Sequence, residues 1–181
     1  GRGVAYCATC DGMFYRNKTV AVVGGGNTAV ADALFLSKIC NKVYLVHRRD
    51  QLRASKSYMS ALKQSLNIEF IWNAKVKEIL HDKKVTGIVA EDIESGDAIK
   101  VACDGVFVAI GRIPNTDLFK GQIELDDGGY IVADETTRTN LPGVFAVGDV
   151  RTKPLRQIVT ATADGAVASK FAEEYIDMLS E

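Results

Sequence analysis

The chain has 181 residues, 47% hydrophobic and 25% charged, with 22 basic against 23 acidic side chains and a formal net charge of −1. That balance argues against a nucleic-acid or membrane surface, and the length suits one generous domain or one domain with part of another. No basic-then-apolar leader and no apolar run of transmembrane length occurs, so a cytoplasmic setting is the expectation.

The first feature along the chain is Cys7-Ala-Thr-Cys10-Asp11-Gly12. Two cysteines at this spacing can close a redox disulfide, supply half of a zinc site, or sit in a turn. Zinc needs two further ligands, yet Cys40 and Cys103 are isolated and both histidines, His47 and His81, lie far along the chain. No metal site is therefore expected, and four cysteines so distributed do not form a secreted disulfide framework. Ala8 and Thr9 are small enough to let a partner approach, and Asp11 could exchange a proton with a thiolate, though an acid before glycine is also a turn former. Chemistry alone favours the redox pair and leaves the other two readings open. Cys40 and Cys103 are expected in the core.

Lys18 to Val23 is a β-branched run that stops at Gly24-Gly25-Gly26, the pattern of a buried strand ending in a tight turn. Ala29, Val30, Ala33, Leu34 and Leu36 then recur at helical spacing, predicting a helix over 27–39 with Asn27 and Thr28 in its first turn. Val43 to Val46 is a second strand, and the three together make a βαβ unit. Gly24-Gly25-Gly26-Asn27-Thr28-Ala29 fits the G-x-G-x-x-A turn between strand and helix that binds a dinucleotide. The first glycine turns the chain, the second admits the pyrophosphate, and Ala29 allows close helix packing while the helix N-terminus faces the phosphates. At the end of the second strand an NAD site carries an acid for the ribose hydroxyls. Here the chain offers His47-Arg48-Arg49 and then Arg53, whose guanidinium forks suit a 2′-phosphate, so NADPH is favoured over NADH.

A helix over 54–64 and a strand over 68–72 follow. The runs 76–80, 85–90 and 99–101, separated by turn residues, predict an antiparallel meander inserted in the parallel sheet. Gly105 to Ile110 is apolar throughout and bounded by Gly111, as expected of a strand returning to the middle of the sheet. Around Pro114-Asn115 the character shifts, marking a candidate boundary. Strands are expected near 130–132 and 144–147, then a last helix with Val167, Phe171, Tyr175 and Leu179 on one face.

With these residues in hand, the chain resembles the bacterial-type, low-molecular-weight thioredoxin reductases. The match runs through Cys7-Ala-Thr-Cys-Asp-Gly12, the glycine turn to Ala29, Val46-His-Arg-Arg-Asp50 with Arg53, Val108-Ala-Ile-Gly-Arg112, Leu141 to Val150, and Arg156-Gln157-Ile158. The resemblance implies an α/β fold: a Rossmann-like NADPH-binding domain with an inserted antiparallel meander over residues 1–111, and the C-terminal portion of an FAD-binding Rossmann-like domain over 112–181. It implies a homodimeric flavoenzyme passing electrons from NADPH through FAD to a Cys7–Cys10 disulfide and on to thioredoxin, with Cys10 nearer the flavin, Cys7 its partner, and Asp11 the acid. Ile110 and Gly111 would lie beside the nucleotide, and Gly111 to Asn115 would form a hinge. Gly148, Asp149, Arg156, Gln157 and Ile158 would meet the flavin. The family's N-terminal FAD fingerprint is not in this sequence, so the resemblance also implies a fragment that holds FAD insecurely. The rival readings are a non-catalytic NADP(H)-binding piece and a related peroxiredoxin-reducing flavoprotein, against which the His-Arg-Arg cluster with its following arginine speaks.

Overall fold

The computed structural model describes residues 1–180 and divides into two compact units, Gly1–Gly111 and Arg112–Glu181. In the first unit, β1 (Val4–Ala5), β2 (Thr19–Val23), β3 (Lys42–Val46), β4 (Ile68–Ile71) and β8 (Gly105–Val108) form a parallel sheet in the order β1-β8-β2-β3-β4. The chain steps outward from β2 to β3 to β4 and then returns to pair β8 with β2. The direction of winding therefore reverses beside β2, and in sheets of this kind the crevice beyond the carboxyl ends at that point is the ligand site.

Alternation along β2 divides the core. Val20 and Val22 face α2 (Asn27–Ser37), whose buried Ala29, Val30, Ala33 and Leu36 lie on one stripe, together with the short α1 (Ala8–Asp11). Ala21 and Val23 face the opposite way and pack with Ile88, Ala90 and Val101 of a second sheet. That sheet is antiparallel, in the order β5-β6-β7, built of β5 (Ala74–His81), β6 (Val85–Asp92) and β7 (Ala98–Ala102). The expected meander is thus present, but as a sheet of its own laid over one face. A return from β4 to the parallel β8 needs a crossover, and here the meander serves in place of the usual helix and covers the apolar face.

Boundaries differ from expectation where tertiary contacts compete. Helix α3 (Lys56–Gln64) starts two residues later than the pattern suggests. The preceding segment is docked on the glycine turn, with Arg53 N–H donating to the Gly25 carbonyl at 2.8 Å and Ser55 N–H to Asn27 Oδ1 at 2.9 Å.

The second unit has a small core of Ile131, Ala133 and Ala146 and one long helix, α4 (Ile158–Leu179). Of the face expected there, Val167, Phe171 and Tyr175 are half-buried while Leu179 is exposed. The strands expected near 130–132 and 144–147 are reduced to isolated bridges, Leu125 to Ile131, Ile131 to Arg151, and Arg138 to Phe145. Each is flanked by a turn. Gly129 N–H closes onto the Asp126 carbonyl, and Thr137 takes a left-handed φ of 64°, so pairing never extends beyond one residue.

Candidate functional site

The loops that leave the carboxyl ends of β2, β3 and β8 each carry residues singled out in the sequence. The turn after β2 holds Gly24 at φ 151°, with its N–H donating to the Val46 carbonyl at 3.0 Å. A side chain there would collide with the Ala109 carbonyl, so the turn requires glycine. A Cβ on Gly25 would fall inside the His47 ring. The two glycines therefore bring backbone down onto the ends of β8 and β3, and Gly26 caps α2 so that the first amides of that helix point outward.

These loops enclose a cavity of about 540 Å³. Gly24, Gly25, Gly26, Asn27 and Thr28 line one side, His47, Arg48 and Arg53 another, and Ile110 and Gly111 a third. Ala29 lies buried beneath the turn, where its methyl permits the approach of helix to strand, and Arg49 is exposed and not among the lining residues. Of the residues sequence reasoning did not assign, Ala74, Lys75 and Val76 at the start of β5 and Ala109 also line the cavity. No acid does.

His47 is 5% exposed, its ring edge-on to Trp72 at 6.4 Å, and its Nε2 has no hydrogen-bond partner among the described residues. Burial pushes its pKa below the ordinary histidine value, a hydrogen bond from the ring to the Gln51 backbone carbonyl opposes, and the charges of Arg53, Arg49 and Arg48 push further down. The site thus presents helix amides and two guanidinium groups to one cavity, a donor set suited to a phosphorylated nucleotide.

Cys7 and Cys10 lie just beyond β1 at the same edge of the sheet and do not line the cavity. They form a disulfide across a Cα separation of 5.3 Å. Cys7 caps α1, its sulfur accepting from Cys10 N–H at 3.2 Å and lying 3.3 Å from Thr9 Oγ1, and Cys10 is the more exposed of the two. Asp11 closes the turn, its N–H donating to the Cys7 carbonyl at 3.1 Å. Cys40 and Cys103 are buried free thiols, and burial pushes each up to about 11, which makes them inert as nucleophiles. No group of metal-ligating side chains occurs among the described residues.

In the second unit, Gly148 and Asp149 form a single tight turn after residue 147. Asp149 is exposed, with Arg112 Nη1 at 3.7 Å. Arg156 stacks over Tyr130 at 3.9 Å and donates to the Asp149 and Arg151 carbonyls. Gln157 caps α4 in a reciprocal box with Thr160, and Ile158 is 87% exposed. Sequence reasoning missed what holds this turn. Asp164 of α4, 6% exposed, accepts from Gly148 N–H at 2.9 Å, from Arg151 Nε and Nη2 at 2.9 and 2.7 Å, and from Lys153 Nζ at 2.6 Å.

A disulfide and a nucleotide-type glycine turn on one sheet edge are the marks of a nucleotide-linked disulfide oxidoreductase. Residues 1–165 match the family model of pyridine nucleotide-disulphide oxidoreductases, and the chain belongs to that family. More particularly, it is 48% identical over its whole length to thioredoxin reductase of Listeria monocytogenes and 47% identical over 98% of its length to that of Peptoclostridium acidaminophilum. It spans 57% and 58% of those two proteins. The crystal structure of thioredoxin reductase from Streptococcus pyogenes shares its fold with a TM-score of 0.92 at 43% identity, over 98% of this chain and 58% of that one. The family resemblance and the Rossmann-like α/β fold read from the motifs are thereby borne out.

Proposed function

We propose that the chain carries the nucleotide site and the redox disulfide of an NADPH-dependent thioredoxin-disulfide reductase. The observation that carries the reading is the Cys7–Cys10 disulfide standing on the same strand edge as a glycine-turn cavity rimmed by arginines. The amides of Asn27, Thr28 and Ala29 at the start of α2 and the guanidinium groups of Arg48 and Arg53 fit the phosphates of NADPH, with the exposed Arg49 next to Arg48 and the buried His47 ring against Gly25. Residues 1–111 are then its NADPH-binding domain. Residues 112–181 supply one edge of an FAD site, where the exposed Asp149 carboxylate suits flavin ribityl hydroxyls and Arg156, Gln157 and Ile158 lie beside it. When bound, NADPH and FAD supply the electron pair that opens the disulfide.

The chain's own part is thiol exchange. Cys10 N–H and the Thr9 hydroxyl stabilise the Cys7 thiolate, which attacks one sulfur of an oxidised thioredoxin and expels the other as a thiolate; Asp11 supplies a proton to it. Cys10 then attacks Cys7 Sγ in the mixed disulfide, expelling the second partner sulfur and restoring the Cys7–Cys10 bond. A homodimeric assembly in the cytoplasm goes with this reading. No helix of the described residues is long and apolar enough to cross a membrane.

Calorimetric titration of the chain tests the nucleotide site: NADPH is expected to bind more tightly than NADH, and Gly25→Ala, which drives a methyl into the His47 ring, to abolish both. In the whole enzyme, Cys10→Ser is expected to stop thioredoxin turnover while NADPH still bleaches the flavin. Preference for NADH, or continued turnover by Cys10→Ser, would refute the assignment.

A further inference from the structure

Arg48 and Arg53 reach the cavity from the loop after β3, but a third cation, Lys75, reaches it from the meander. Nothing in the glycine or arginine motifs points to it. In the register of β5 on β6, Lys75 stands opposite Glu91, the obvious partner for a lysine on a strand. The register shifts between Val76 and Glu78, so Lys77 is an extra residue with no counterpart on β6. Lys77 Nζ takes Glu91 Oε2 at 3.0 Å, and no ion pair holds Lys75 among the described residues. The bulge thus diverts the local acid to Lys77 and leaves Lys75 at the rim of a cavity that no acid lines.

Which part of a nucleotide it meets follows from the backbone. Ala74 N–H donates to the His47 carbonyl at 3.0 Å, which ties the start of β5 to the end of β3, on the side of His47 and Arg48. The pyrophosphate side of the cavity belongs to Gly24 and the first turn of α2. We propose that Lys75 is a specificity-determining residue for a phosphoryl group on the adenosine ribose, a cationic arm that the meander adds to the arginine loop. The proposal rests on the nucleotide reading given above. Its competitor is a plain structural role, since lysine on an edge strand such as β5 also deters pairing with another chain.

Titration calorimetry of the chain with NADPH, NADH and adenosine 2′,5′-bisphosphate separates the two. Lys75→Gln is expected to weaken NADPH and the bisphosphate about fivefold to tenfold, as for loss of one charge-assisted phosphate contact, and to leave NADH within about twofold. Lys75→Arg is expected to restore the affinity, and the difference is expected to shrink as salt is raised. Lys75 is exposed, so neither substitution disturbs the core. Unchanged NADPH affinity in Lys75→Gln overturns the assignment, as does an equal loss for NADPH and NADH, which would move the contact to the pyrophosphate. If the wild-type chain itself shows no preference for NADPH, the nucleotide reading falls and this one with it; a wild-type preference that survives Lys75→Gln removes Lys75 alone.

Discussion

Asp164 illustrates how one side chain can hold a turn that its own neighbours in sequence cannot. Its carboxylate takes a backbone amide and two cations, and the Arg151 guanidinium, followed by Lys153 and Gly148 N–H, holds its pKa far below the usual carboxylate range against the opposing effect of burial. Asp164→Ala would leave Arg151 and Lys153 buried without a counter-charge. Such a change is expected to cost about 3 kcal/mol, read as a loss of denaturant midpoint at unchanged slope, and to free the Gly148–Val150 turn. The sign of the pH effect follows from the direction of the shift. A carboxylate depressed in the folded state contributes its full stability above its unfolded pKa of 3.8 and loses it as pH falls toward the folded value. Acid melts of wild type should therefore fall more steeply below about pH 4 than those of the variant.

At the scale of elements, the decisive contacts are close approaches that side-chain size controls. Gly12, just after the disulfide, is buried, and a Cβ on it would stand 2.9 Å from Phe35 Cε1, 3.1 Å from Leu36 Cδ2 and 3.2 Å from Ile39 Cδ1. The glycine thus lets the segment carrying the cysteines lie flat on α2. Gly12→Ala is expected to destabilise by about 1–3 kcal/mol through overpacking and to shift the disulfide segment; thiol titration after mild reduction would register the latter as faster alkylation of Cys7. Helix α2 was legible because its apolar stripe is repeated over three turns. The bridges of the second unit were not, because a run such as Val144 to Val147 has strand composition but no neighbour aligned beside it for more than one residue.

Across the whole molecule, burial is uneven. The first unit sandwiches its parallel sheet between α1 and α2 on one side and the meander on the other, with Val20, Val22, Leu45 and Phe107 at zero exposure. The second unit buries chiefly Ile131, Ala133 and Ala146, while Ile113, Leu118, Ile158 and Val159 are exposed at 95%, 79%, 87% and 72%. Local stability follows buried apolar contact, so amides of β2, β3 and β8 should exchange with deuterium slowest and those of 125–151 markedly faster. Equal protection in the two units would contradict this.

The chemistry-bearing motifs were legible because each is local. Cys7 and Cys10 are one helical turn apart, Gly24 to Ala29 must form a turn and a helix start, and His47 to Arg53 must follow the second strand; backbone geometry alone brings such residues together. The sequence by itself therefore determined the βαβ unit, the glycine turn, the cysteine pair and the core placement of Cys40 and Cys103. Only the tertiary structure decided that the meander is a separate sheet, that Lys75 and not Lys77 stands at the cavity, and that Asp164 holds the Gly148 turn. Those outcomes depend on strand register and on burial shared between distant segments, and a one-residue bulge that reassigns an ion pair leaves no mark in composition or periodicity.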